Sequence, residues 1–115
     1  MKRTKLPSPI PVDLAELVAA RLRVIGDPNR IRILDLLRED ELTVSEITER
    51  LGMSQQNTSK HLGMLLGAGI VARRKERNSS IYSIADPGVY DLCEQVCGGL
   101  QLQLAELTAL VEGAG

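Results

Sequence analysis

The sequence predicts a mainly α-helical domain with one small β-hairpin: five helices, with the hairpin between the fourth and the fifth. Three observations predict it. Apolar residues recur at helical spacing in five stretches separated by Gly, Pro and capping residues. Residues 70–84 switch to strand-like composition around a polar turn. Aromatics are nearly absent, two Tyr with no Phe or Trp, so the core joining these elements must be aliphatic.

A chain of 115 residues suits a single domain with its own core. The lack of aromatics argues against modules that stack bases, such as RNA-recognition sheets and single-strand-binding barrels. Net charge is −1, but residues 50–80 hold six basic residues against Glu76 alone. That stretch is therefore +5 and the rest of the chain −6. Basic charge gathered on one part of an acidic chain is the footprint expected of a DNA binder, and a solvated charged surface is the simpler alternative. Two cysteines do not make a secreted disulfide framework. The start, MKRTKLPSPIP, lacks the apolar run of a signal peptide, and no stretch is apolar enough to span a bilayer. A cytoplasmic protein with no membrane partner is expected.

Residues 1–11 read as a flexible N-terminal arm and 12–115 as the domain. Pro7, Pro9 and Pro11 bar a helix in the arm. Disorder is the simpler reading of it, and contact of Lys2, Arg3 or Lys5 with a phosphate or minor groove is the alternative. Asp13 with Glu16 has capping-box spacing and opens the first helix, which runs to about Val24 before Gly26. Its apolar face is Leu14, Leu17, Val18, Leu22 and Ile25. Asp27-Pro28 starts the second helix. Ile31, Ile33, Leu34, Leu36 and Leu37 are expected to bury it, with Arg30 and Arg32 turned away. Arg38 to Glu41 reads as a loop, and Leu42 as a one- or two-residue strand pairing with the later hairpin.

Thr43 and Glu46 form a second capping box, opening a short third helix through Ile47 and Leu51 that Gly52 stops. Met53 turns the chain and Ser54 caps the fourth helix. There Thr58, Leu62, Leu65 and Leu66 make an inward stripe, while Gln55, Gln56, Asn57, Ser59 and Lys60 crowd the start and point elsewhere. A short helix, a glycine turn and a longer helix with a polar start form a helix-turn-helix. Amides and a lysine at such a start can meet base edges and phosphates in the major groove of duplex DNA.

Gly67-Ala-Gly69 ends that helix. Ile70 to Arg77 reads as a strand, Asn78 to Ser80 as a turn, and Ile81 to Ile84 as the return. A hairpin with Arg73, Arg74, Lys75, Arg77 and Asn78 near its tip is a wing for the backbone or minor groove. The alternative is an edge hairpin whose charges deter aggregation. Asp86-Pro87 opens a last helix over about Gly88 to Val111. Along it Cys93, Cys97, Leu100, Leu104, Leu107 and Val111 step by four and three, a heptad-like seam longer than a small core needs. It predicts a homodimer, with Leu14, Leu17 and Val18 of the first helix beside the seam.

VIGDPNRIRILDLL, ELTVSEITERLGMSQQNTSKHLGML, GIVARRKERNSSIYSI and the terminal helix together resemble the ArsR/SmtB family of bacterial winged helix-turn-helix repressors. The resemblance covers roughly residues 14–111. It implies a homodimer joined by the first and last helices, binding an imperfect inverted repeat of double-stranded operator DNA and released by an inducer. Carried onto this chain, the recognition helix is Ser54 to about Leu66 and the wing Arg73 to Ser80. The family's two recurrent metal sites do not carry over. The thiolate positions are Thr43 and Ser45, and the last-helix positions are Asp86-Pro-Gly88 with no ligand near Gly99 and Leu102.

Cys93 and Cys97 lie one turn apart on one face, a spacing that chelates, so a thiophilic metal, metalloid or oxidant is one reading. Packing as small hydrophobes in the seam is the other. His61, the one histidine, is placed either at a phosphate or at the edge of the helix packing. No nucleophile–base pair or catalytic carboxylate pair stands out, so no enzymatic activity is expected. The functional alternatives to a DNA-binding regulator are a winged helix used for protein contact and a thiol redox switch without DNA.

Overall fold

The structure, a computed structural model, describes residues 5–114. Its elements are α1 (Val12–Ile25), α2 (Pro28–Glu39), β1 (Leu42–Thr43), α3 (Val44–Leu51), α4 (Gln55–Gly67), β2 (Val71–Glu76), β3 (Ser79–Ile84) and α5 (Gly88–Ala114). Lys2 and Arg3 of the arm lie outside the described residues. Lys5 to Pro11 are exposed and belong to no helix or strand. The chain divides into a unit ending at Ala85 and a unit beginning at Asp86.

Local chemistry sets the ends of most helices in the first unit. Asp27 accepts the backbone N–H groups of Asn29 and Arg30, with Pro28 at the first helical position, and so opens α2. Thr43 and Glu46 close a reciprocal capping box on α3. Gly52 ends α3 in the left-handed region, φ 65°, where a side chain would be strained. α1 departs from its expected start. It begins at Val12 with Pro11 as its cap, and no side chain closes a capping box there. Asp13 falls in the first turn, where its charge still suits the positive end of the helix.

The core is aliphatic: Ile25, Ile33, Leu34, Leu37, Leu42, Ile47, Leu62, Leu65, Ile70 and Val71, with Tyr82 as the one buried aromatic ring. The buried face of α2 is turned from the expected one. Ile31 is 43% exposed, and Arg30 lies inward with a side chain only 11% exposed. Ile33, Leu34 and Leu37 fill the core without Ile31, which frees that position.

The sheet has the order β1-β3-β2, antiparallel throughout. Leu42 pairs with Tyr82 and Thr43 with Ile81, as the short strand predicted. The hairpin turns earlier than expected. Glu76 pairs with Ser79, so the loop is Arg77-Asn78, and Ser79 and Ser80 belong to the returning strand. Arg77 takes the turn's left-handed conformation, φ 60°.

The second unit is α5, 27 residues and about 40 Å long. Gly88 donates its backbone N–H to Asp86 Oδ1 at 3.1 Å, the start signal that Asp86-Pro87 predicted. Val96, Leu100, Leu102, Leu104, Leu107, Leu110 and Val111 are exposed, by 56–71%. Among the described residues no helix is long and apolar enough to cross a membrane.

Candidate nucleic-acid interface

α4 is built to keep its first turn in solvent. Ser54 caps it, its Oγ accepting the Asn57 backbone N–H at 3.1 Å. Thr58 is fully buried; its hydroxyl donates to the Ser54 carbonyl at 2.9 Å, and the Thr48 hydroxyl of α3 donates to Thr58 Oγ1 at 3.0 Å. These bonds fix α3, the turn and the start of α4 as one piece. Leu62 and Leu65 seal the same side of α4 into the core. Ser54, Gln55, Gln56, Ser59 and Lys60 are exposed and Asn57 is half-buried. Ser54, Gln56, Asn57 and Lys60 line a shallow open depression.

His61, which the sequence placed either at a phosphate or at the edge of the packing, is 8% exposed, and its Nδ1 is buried with no hydrogen-bond partner, which favours the packing. Its place follows from helix geometry: it stands three residues after Thr58, on the sealed side.

The hairpin begins from the core at Val71 and is exposed from Ala72 to Ser79. Strand alternation puts Arg73 and Lys75 on one face and Arg74 and Glu76 on the other. Arg74 is held by Glu41, which precedes β1, and by Glu76 at 3.3 Å. The hydrogen bond and charge of Glu41, then those of Glu76, raise the Arg74 pKa above the ordinary arginine value. Arg74 therefore braces the hairpin against the segment before β1 and is not a free cation. Among the described residues, Arg73, Lys75 and Arg77 have no ion-pair partner, and Asn78 is exposed beside them at the tip. The bracing by Glu41 had no signal in the sequence, because the two residues are 33 positions apart.

Cys93 is half-buried and Cys97 exposed, both as free thiols. Among the described residues no three His, Cys, Asp or Glu side chains converge on a metal position.

Comparison with known proteins agrees with this arrangement. Residues 27–73 match the family described as bacterial regulatory protein, arsR family. Rv0081 of Mycobacterium tuberculosis, an uncharacterized HTH-type transcriptional regulator, is 37% identical over 100 residues, 86% of this chain and 88% of the relative. The chain belongs to the arsR family of bacterial regulatory proteins. The crystal structure of Rv0081 matches with a TM-score of 0.75 over 84% of this chain and 97% of that one. The probable mercury resistance operon repressor of Streptomyces lividans is 34% identical over 72% of this chain and 66% of the repressor. The solution structure of the homodimeric winged helix-turn-helix DNA-binding domain of Mb0332 from Mycobacterium bovis is 30% identical. It matches with a TM-score of 0.71 over 82% of this chain and 87% of that one.

The Thr43 hydroxyl is committed to the α3 capping box and Asp86 to the start of α5. Of the residues expected to join two copies, Leu17, Leu100, Leu104, Leu107 and Val111 are exposed, and Leu14 and Val18 are half-buried.

Proposed function

We propose that this arsR-family regulator reads operator DNA with the first turns of α4 and holds it with the hairpin. One observation carries the assignment. Thr58, Leu62 and Leu65 bury one side of α4 completely, while Gln55, Gln56, Ser59 and Lys60 remain in solvent with no partner in the core. Glutamine and asparagine suit adenine, accepting from N6 and donating to N7. Lys60 and the unpaired Arg73, Lys75 and Arg77 supply phosphate contacts that weaken with salt.

The protein acts as a homodimer. Support comes from the exposed leucines of α5, an apolar load that an isolated helix would not leave in water, and from the homodimeric state of Mb0332. A two-fold dimer sets its recognition helices about 34–36 Å apart, one turn of DNA, which selects an inverted repeat. Bound at a promoter in the cytoplasm, the dimer excludes polymerase and represses.

Cys93 and Cys97 are the sensing residues of this reading, for a thiophilic metal, a metalloid or an oxidant. Their spacing of one turn on one face supports it, as does the similarity to a mercury resistance repressor. Replacing both with Ser and assaying operator release tests it: release unchanged by thiophiles and oxidants removes the sensing role.

The deciding experiment is an anisotropy titration with duplex DNA from upstream of the protein's own coding sequence, across a salt series. Saturable binding that weakens steeply with salt is expected. Binding absent at every salt concentration would leave the exposed helix start as a protein-contact surface.

A further inference from the structure

Gln56 and Lys60 lie one turn apart on the exposed side of α4, and Met64 continues that row one turn further, 43% exposed. Against Met64 lies a cation that the sequence places in solvent. Arg30 of α2 puts its Nη1 3.4 Å from Met64 Sδ, while its Nη2 is 3.7 Å from Asp27 Oδ2. Asp27 is itself engaged as the cap of α2, its Oδ1 accepting the backbone N–H groups of Asn29 at 2.9 Å and Arg30 at 3.2 Å. His61, three residues before Met64, packs nearby. Burial pushes the Asp27 carboxyl up, but the Arg30 and Asn29 N–H groups, then His61 and Arg30, hold it below the ordinary value.

A cation kept for phosphate would stand in water, as Lys60, Arg73, Lys75 and Arg77 do. A cation needed only to neutralise Asp27 would gain little by leaving water, since an exposed i,i+3 pair contributes little. Arg30 is instead nearly buried, and its Nε has no hydrogen-bond partner. Its planar fork is stiff and one end of it stands 3.7 Å from the Asp27 carboxylate at the α2 cap.

We propose that Arg30 is a positioning residue for DNA reading: fixed by Asp27 at the start of α2, it bears on Met64 and sets the tilt of α4. The proposal rests on the assignment of α4 to the major groove. Met64 is eight residues from Gln56, about 12 Å along the axis. A tilt of about 5° at Met64 therefore moves the Gln56 amide by about 1 Å, enough to break a two-point hydrogen bond to a base.

The test compares a duplex recovered by selection from a randomised pool with a scrambled duplex of the same length, each across a salt series. Arg30→Met is expected to lose about tenfold affinity for the selected duplex, roughly what one misaligned amide–base pair costs. Affinity for the scrambled duplex and the salt slope are expected to stay at the wild-type values. Arg30→Lys keeps the charge without the fork and is expected to remain defective on the selected duplex alone. Should Arg30→Met fail to fold, Met64→Ala removes the same contact from an exposed position, and the same selective loss is expected. Weaker binding to both duplexes with a shallower salt slope would make Arg30 a phosphate contact and overturn the proposal. Unchanged discrimination in Arg30→Met or Met64→Ala overturns it as well. A wild-type protein that prefers no selected duplex overturns the DNA-reading assignment itself, and this inference with it.

Discussion

The Thr48 hydroxyl donates to Thr58 Oγ1 at 3.0 Å, and the Thr58 hydroxyl in turn donates to the Ser54 carbonyl at 2.9 Å. This two-bond chain joins α3 to the capped start of α4 inside a fully buried position. Thr58→Val keeps the shape and removes both bonds, and it leaves the Thr48 hydroxyl without its acceptor. A loss of about 1–2 kcal/mol is expected, read as a lower urea midpoint at unchanged slope. Thr48→Val removes one bond and is expected to lose about half as much.

On DNA, the exposed residues should divide by role. Gln56→Ala is expected to cost on the order of 1–3 kcal/mol and to relax sequence preference. Arg77→Ala should weaken all duplexes alike and reduce the salt slope by about one. Arg74→Ala should leave the salt slope nearer the wild-type value, because Glu41 and Glu76 already neutralise that guanidinium. Salt-series anisotropy on the three variants separates these outcomes.

Arg77 sits at φ 60° in the two-residue hairpin loop, a conformation that costs a side chain roughly 1 kcal/mol. Arg77→Gly removes that strain, offset in part by the greater freedom of glycine in the unfolded chain. A small rise in the urea midpoint is expected alongside weaker DNA binding. A fall in stability would contradict the account of the turn.

The leucine row of α5 predicts a concentration-dependent dimer. Leu104→Glu places a charge in that row and is expected to shift the protein to monomer in sedimentation equilibrium, with operator affinity falling in parallel. In the same helix, a Cβ at Gly98 or Gly99 would meet nothing within 4 Å. Gly98→Ala is therefore expected to stabilise the helix by roughly 0.5–1 kcal/mol, seen as a raised melting temperature.

Acid should loosen the helix starts. The Asp27 carboxyl is held below its ordinary value against the push of burial by the Arg30 and Asn29 N–H groups, His61 and Arg30. Glu46 is lowered by hydrogen bonds from the backbone and side chain of Thr43. A carboxyl with a depressed native pKa contributes stability above its unfolded pKa and loses it as pH falls through the folded one. The urea midpoint is thus expected to decline below the ordinary carboxylate range. Asp27→Asn and Glu46→Gln should each flatten that decline, and an unchanged acid limb in both would refute the linkage.

Capping and stop signals were legible in the sequence because they act over three or four residues of backbone. Asp27-Pro28, Thr43 with Glu46, Ser54 and Gly52 all stand where the sequence placed them. α1 differed because Pro11 already supplies an extended cap conformation, so Asp13 was not needed as one. The exposure of the polar turn of α4 and the gathering of basic charge on the hairpin were legible in outline. Individual residues were not. The sequence left His61 between a phosphate contact and the packing, and its burial in the fold favours the packing.

Local sequence by itself determined the order of the elements, the capped start and two-faced character of α4, and the gathering of basic charge in the hairpin, since these depend on neighbours along the chain. The tertiary structure alone decided which cations remain free. Arg74 is claimed by a glutamate 33 positions away, and Arg30 is turned inward against a methionine 34 positions away. A helical period fixes which residues share a face, but not the rotation of that face against the core. Ion pairs form by distance in space, which the fold sets and the order of residues does not.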